Sequence, residues 1–130
     1  MATKFNMVRD INGYNGFGLA PTDTAYSATL TASSDTTLTV PSSAAMGGSN
    51  AQTQPVWLAI FAYDPGTSVW VAVNHTASNP AGNTFAATNS ELNPAALLVY
   101  GKSATVAADV IHCFTTGTGV NVGVRFYSLS

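Results

Sequence analysis

The chain has 130 residues and a net charge of −2, and only 8 % of its side chains are charged. An ordinary soluble domain carries about 25 % charged residues. The length suffices for one domain with its own hydrophobic core. Four cations give no basic footprint for nucleic acid or for anionic lipid, so we expect neither a nucleic-acid partner nor a membrane partner.

The cysteine content and the lengths of the apolar runs indicate in which cellular compartment the protein is made. Cys113 is the single cysteine, which excludes an internal disulfide. The first ten residues lack the apolar run of a secretory signal. The longest apolar run, Val56 to Ala62, is far below the about 20 residues that span a bilayer. We therefore predict a protein made in a reducing cytoplasm and free of membrane anchors.

Residues 1–24 differ from the rest and are predicted to form an extended N-terminal arm. They hold two of the four cations and a glycine-punctuated aromatic run at residues 12–18. Such dense glycine favours backbone freedom over a stable strand. Two interpretations stay open: the arm docks on a partner, or it pairs with a sheet edge. Since Tyr, Phe and Arg are enriched at interfaces, the candidate partner-binding residues are Phe5, Arg9, Tyr14 and Phe17.

Residues 25–130 are predicted to form one β-sandwich domain, because alternation with a period of two recurs and no helical apolar stripe is sustained. The run Val56–Tyr63 is apolar on both faces, as in a central sandwich strand. A Pro-Gly turn at residues 64–67 follows, and Val69–Val73 returns, which predicts a hairpin at the folding core. Trp57 and Trp70 are predicted to pack in that core.

The other predicted elements are shorter. Small polar residues predict an exposed, mobile loop over residues 42–54. A second hairpin loop, Thr115 to Gly119, is expected between the last two strands. The remaining predicted strands are Ala28–Ala32, Thr36–Val40, Thr84–Thr88, Ala95–Tyr100, Val110–Phe114 and Val120–Tyr127. About eight short strands at this spacing predict an all-β, jelly-roll-like sandwich of two sheets, whose strand order the pattern leaves open.

The chemistry-bearing residues are few and dispersed. His75, His112 and Cys113 are too few for a tetrahedral metal site, and adjacent residues of a strand face opposite sides. Cys113 lies in a predicted buried strand, where a thiol is inert. The carboxylates fall in or beside turns, where Asp caps the backbone. We therefore expect no enzyme, no metal site and no cofactor.

Several phrases of the chain resemble small structural proteins of tailed bacteriophage virions. They are Thr-Leu-Thr-Ala at 29–32, Thr-Leu-Thr-Val-Pro at 37–41, and the segments 57–66, 69–74, 90–95 and 124–129. The resemblance implies a protein that decorates or cements the capsid exterior, or an accessory head or neck component. It implies binding to the major capsid protein lattice, self-association as a trimer or dimer, synthesis in the host cytoplasm and a final place on the capsid surface.

A carbohydrate-binding or receptor-binding module of a tail fibre or spike is the alternative. Sugar sites combine an aromatic platform with polar side chains, and the chain is rich in Asn and Thr. The aromatic residues that could form such a platform are Tyr63, Trp70, Tyr100 and Tyr127. Burial of Trp70 between the sheets would remove the strongest of them.

Overall fold

A computed structural model describes residues 20–42, 54–82 and 84–128, and for residues 20, 21 and 23 the backbone alone. These residues contain eight β-strands and no helix. The strands are β1 (Ala20–Leu30), β2 (Thr36–Thr39), β3 (Val56–Tyr63), β4 (Trp70–Val73), β5 (Glu91–Leu92), β6 (Ala96–Tyr100), β7 (Val110–Phe114) and β8 (Val120–Ser128).

The strands form two antiparallel four-stranded sheets with the orders β1-β8-β3-β6 and β2-β7-β4-β5. The pairing is nested: β1 pairs with β8, β2 with β7, β3 with β6 and β4 with β5. A long antiparallel ribbon folded over in this way is a jelly roll, the eight-stranded double-sheet form of the β-sandwich. The predicted fold class is confirmed.

Both predicted hairpins are wrong. The turn at residues 64–67 forms as expected, with the Thr67 amide donating to the Asp64 carbonyl at 3.3 Å and Gly66 at φ +72°. However, β3 and β4 belong to different sheets, so this turn crosses the sandwich. The connection from β7 to β8 crosses in the same way. Turn chemistry reverses the chain direction, but it does not determine whether the two strands pair.

Some strand boundaries also differ. β1 begins at Ala20 rather than Ala28, so Ala20 and Pro21 of the predicted arm pair with β8, and the register shifts between Pro21 and Ala25. The predicted strand Thr84–Thr88 is irregular and exposed. Residues 1–19 of the arm and residues 43–53 of the predicted loop lie outside the described residues.

The core lies between the sheets and is built from alternate residues of each strand. In β8 the inward positions Val122, Val124 and Phe126 are buried while their neighbours are not. Trp57 is 2 % exposed, and its indole N–H donates to the Pro41 carbonyl at 3.0 Å, which satisfies its polar end. Trp57 therefore occupies the core as predicted. Trp70 does not, because it alternates with buried Val71 and lies half-buried outside the core cluster.

Candidate interaction surface

The outer face of the β2-β7-β4-β5 sheet is covered in part by the chain itself. Ala72 points away from the core, since it alternates with Val71, yet it is 2 % exposed. The connection from β4 to β5 (residues 74–90, the β4–β5 strap) returns toward the β1–β2 turn, where the Ala77 amide donates to Asp35 at 3.1 Å. Ala77 is itself buried. The strap therefore shields the part of this face around Ala72, while Thr37 and Thr39 of β2 stay exposed.

The outer face of the β1-β8-β3-β6 sheet has no such cover among the described residues, and we call it the bare face. Its centre is apolar because the outward positions of β3 and β6 are apolar. The register places Leu58 opposite Leu98 and Ile60 opposite Ala96. Ile60 is 40 % exposed, Leu98 52 % and Tyr100 40 %. Contiguous apolar residues of this kind on a sheet surface mark an interaction site.

The bare face carries one cation among its described side chains, and at the end of β3 the Asp64 carboxylate is hydrogen-bonded to Asn121 of β8 at 3.0 Å. Arg125 lies on β8 between Ile60 of β3 and Ala25 of β1, and it is exposed. It has no ion-pair partner within the part of the chain that the structure describes, where the one such contact joins His112 to Asp35. Arg and Tyr are the residues most often found as interface anchors. The bare face therefore combines an apolar centre with one guanidinium that can receive an acceptor from outside.

The edge of the bare face at β6 is closed in part. Asp109 accepts a hydrogen bond from the Tyr100 amide at 2.9 Å, and its own amide donates to the Tyr100 carbonyl at 2.9 Å. Asn74 binds the other carboxylate oxygen of Asp109 at 2.9 Å. Since an unpaired edge invites another strand, this cap limits pairing at β6. The cap covers the Tyr100 end of β6.

The residues considered for catalysis lie apart. Cys113 is buried in the core, and burial, with a smaller contribution from Asp35, raises the pKa of its thiol from 9.0 to about 11. At neutral pH it is therefore a protonated, inert thiol. His112 faces the other side of the sheet, as predicted, and its Nδ1 lies 2.7 Å from Asp35 Oδ2. The described residues hold no group of three His, Cys, Asp or Glu side chains placed to bind a metal.

The four arm residues predicted to bind a partner, Phe5, Arg9, Tyr14 and Phe17, lie outside the described residues.

The four aromatic residues predicted to form a sugar platform do not all lie on one surface. Tyr63 packs against the core and donates to the Pro94 carbonyl at 2.6 Å, and burial raises the pKa of its phenol. Trp70 is on the opposite sheet from the bare face. Tyr100 and Tyr127 share the bare face, with β3 between their strands. Two of the four thus remain on one surface.

Sequence analysis did not identify the bare face, although its signal was present. The run Val56–Tyr63 is apolar at every position, and the sequence prediction attributed this to a strand with both faces buried. The structure buries the inward residues Trp57, Ala59 and Phe61 and leaves Ile60 exposed. An apolar outward row on a central strand was therefore the available sign of an interaction surface.

Within the described residues, no helix is long and apolar enough to cross a bilayer. Comparison with protein-family models, with curated proteins and with solved structures gave no match to this chain.

Proposed function

We propose that this chain is a structural protein of a phage virion, which decorates or cements the capsid exterior by binding the major capsid protein lattice through the bare face. The observation that carries the proposal is the apolar, uncovered row of Leu58, Ile60, Leu98 and Tyr100 beside Arg125. The jelly roll is compatible with this role because viral capsid domains use it. Lectin domains use it too, so the surface and not the fold supports the proposal.

The binding free energy expected from the bare face is small, which suits attachment at several lattice positions at once. Burying an exposed Leu, Ile or Tyr side chain completely gains about 2 kcal/mol, so covering the exposed half gains about 1 kcal/mol. Ile60, Leu98 and Tyr100 together then contribute about 3 kcal/mol, less than the about 4 kcal/mol of a millimolar complex. One copy would bind weakly. An oligomer that engages several lattice positions gains by effective concentration, which supports a dimer or trimer on a repeating shell.

Low charge supports the same role. Charged groups buried in an interface must be desolvated and paired, which costs free energy. Among the described side chains of the bare face the charged groups are Arg125 and, at its end, Asp64, whose carboxylate already accepts from Asn121, so the guanidinium is the charge a partner needs to match. In this proposal the arm residues Phe5, Arg9, Tyr14 and Phe17 supply a second attachment to the same shell.

The experiment is cosedimentation with shells assembled from the major capsid protein of the encoding phage. Wild-type protein should pellet with shells and not with free subunits. Leu98→Asp should lose most of this binding, whereas Thr39→Asp, a matched charge on an exposed position of the other sheet, should keep it. Deleting residues 1–19, which leaves β1 intact, should weaken binding. A wild-type protein that ignores shells, or a Leu98 variant that pellets like the Thr39 variant, would contradict the proposal.

Carbohydrate binding remains the second candidate because Tyr100, Tyr127 and Arg125 share the bare face. Aromatic rings that stack on a sugar and a guanidinium that donates to its hydroxyls are the needed chemistry. A glycan array with wild-type protein and a Tyr100→Ala variant tests it. Binding that Tyr100→Ala abolishes would favour this function over shell attachment.

A further inference from the structure

The sandwich is open on the side where β1 and β2 form the edges of their sheets. A cleft of about 160 Å³ lies there, with side chains of both edge strands at its mouth. The core forms its floor, which is lined by the buried side chains of Ile111, Cys113, Val122 and Val124. The cleft exists because Ala28, the inward residue between Tyr26 and Leu30, is too small to reach the opposite sheet. No charged side chain lines it.

The two edges of the cleft carry unpaired backbone groups. The Asp64 amide donates to the Asn121 carbonyl, so the odd residues of β8 bond to β3 and the even residues bond to β1. The register then directs the N–H and C=O of Ala25, Ser27 and Thr29 away from the sheet. On β2, the Val40 amide donates to the Asp109 carbonyl, so the even residues bond to β7. The backbone N–H and C=O of Thr37 and Thr39 therefore point away from the sheet.

A register shift between Pro21 and Ala25 interrupts the β1 edge at its N-terminal end, and from Ala25 to Thr29 the described residues provide no cap like that of β6. Asp109 bonds to the backbone N–H and C=O of Tyr100. No described residue makes a comparable bond to the backbone N–H or C=O of Ala25, Ser27 or Thr29. Natural proteins protect sheet edges, and an uncapped edge is a template for another strand. The donors and acceptors on β1 repeat along the strand. An extended polypeptide can pair with such a repeat, whereas a compact small molecule cannot.

We propose that the β1 edge and the adjoining cleft form a strand-addition site for an extended, uncharged segment of a partner protein. The added strand pairs antiparallel with Ala25, Ser27 and Thr29, and its alternate side chains point into the cleft. An apolar cavity of about 150 Å³ holds one benzene ring, so this cleft takes one aromatic or branched side chain. A charged side chain there would lose its hydration without a partner.

The site is distinct from the bare face. The apolar row of the bare face lies on β3 and β6, whereas the cleft opens between the two sheets at their β1 and β2 edges, with β8 between β1 and β3. A partner can therefore occupy either surface without covering the other. Failure of shell binding leaves this inference standing, and its own failure leaves the proposed function standing.

The experiment titrates the isotope-labelled full-length chain with a blocked peptide, Lys-Thr-Val-Thr-Phe-Thr-Val-Thr-Lys, and follows backbone amides by NMR. We expect saturable shifts at Ala25, Ser27 and Thr29. Replacing the peptide Phe by Asp removes the side chain that fills the cleft. Replacing the two Thr beside it by Pro removes the amides that face β1. Each change should weaken binding at least about tenfold, since losing 1.4 kcal/mol of contacts has that effect.

Variants of the protein give a second test. Ala28→Phe fills the cleft from within and should abolish peptide binding, whereas Ala62→Phe on the exposed bare face should leave it unchanged. Thermal unfolding checks that both variants fold, and the peptide series decides the question if Ala28→Phe does not. Concentration-dependent protection of the same three amides without peptide would support the site and identify a second copy as its partner. Equal binding of the Pro peptide, shifts confined to β3 and β6, or no saturable shift would overturn the proposal.

Discussion

Gly101 is the position at which one added methyl group should disturb this fold most clearly. It follows β6, is buried, and its amide donates to the Pro55 carbonyl at 2.9 Å. A Cβ at this position would lie 2.5 Å from Pro55 Cγ and 3.1 Å from Trp57 Nε1, and closer still to the Pro41 carbonyl oxygen. That carbonyl accepts the indole hydrogen bond of Trp57. Gly101→Ala therefore forces apart the contacts that hold the largest core side chain.

The free energy of unfolding should fall by about 2–4 kcal/mol. Overpacking a close-packed site costs about 1–3 kcal/mol. Losing the hydrogen bond between Trp57 and Pro41 adds about 0.5–1.5 kcal/mol. Gly123→Ala is the matched control, because a Cβ there would meet the Tyr26 carbonyl at 3.7 Å and Ala62 Cβ at 3.9 Å, which are ordinary contacts. Replacing a strand glycine without strain should leave stability unchanged or raise it by about 0.5–1 kcal/mol.

Urea denaturation followed by tryptophan fluorescence measures both variants. With a slope of about 2 kcal/mol per molar urea, a loss of 3 kcal/mol lowers the midpoint by about 1.5 M. The expected order of midpoints is Gly123→Ala at or above wild type, with Gly101→Ala well below. Midpoints of the two alanine variants within about 0.3 M of each other would refute the packing described around Trp57.

Three further outcomes follow from the structure. Ala28→Leu should raise the free energy of unfolding by about 1–2 kcal/mol in urea, because three added carbons fill the cleft; a decrease would show that the cleft cannot take them. The folded state keeps the Cys113 thiol protonated, so the contribution of this group to stability should be constant below about pH 8 and decline by about 2 kcal/mol as pH rises to about 11. Cys113→Ala should reduce that decline, and an unchanged slope would contradict it. Asp35→Ala removes the acceptor of the Ala77 amide, so limited proteolysis within residues 78–89 should accelerate; unchanged cleavage would mean that Asp35 does not hold the strap.

The local sequence pattern was sufficient to locate the strands but not to predict which strands pair with each other. Alternation in Val120–Tyr127 and the apolar run Val56–Tyr63 located β8 and β3 to within a residue. Which strands pair is decided by residues distant in the chain: Trp57 lies opposite Ser128 on one side and Val99 on the other. No short window contains that information, which is why both hairpins were predicted wrongly.

The hydropathy pattern also did not predict which apolar side chains are exposed. An apolar outward residue such as Ile60 and an inward one such as Phe61 look alike in sequence, because hydropathy does not record what covers a side chain. Ala72 shows the converse, since it points outward and is still buried under the chain's own strap. The candidate surface required knowing which of the two sheets the strap crosses.

The nested pairing has a consequence for biosynthesis. β8 bonds to both β1 and β3, so the strand made last among the eight forms the middle of its sheet. While residues 120–128 are still inside the ribosome, β1 has no hydrogen-bonded neighbour and β3 has at most β6. Assembly of this sheet must therefore wait until translation has passed residue 128, which leaves the other strands of the nascent chain without their central partner until then.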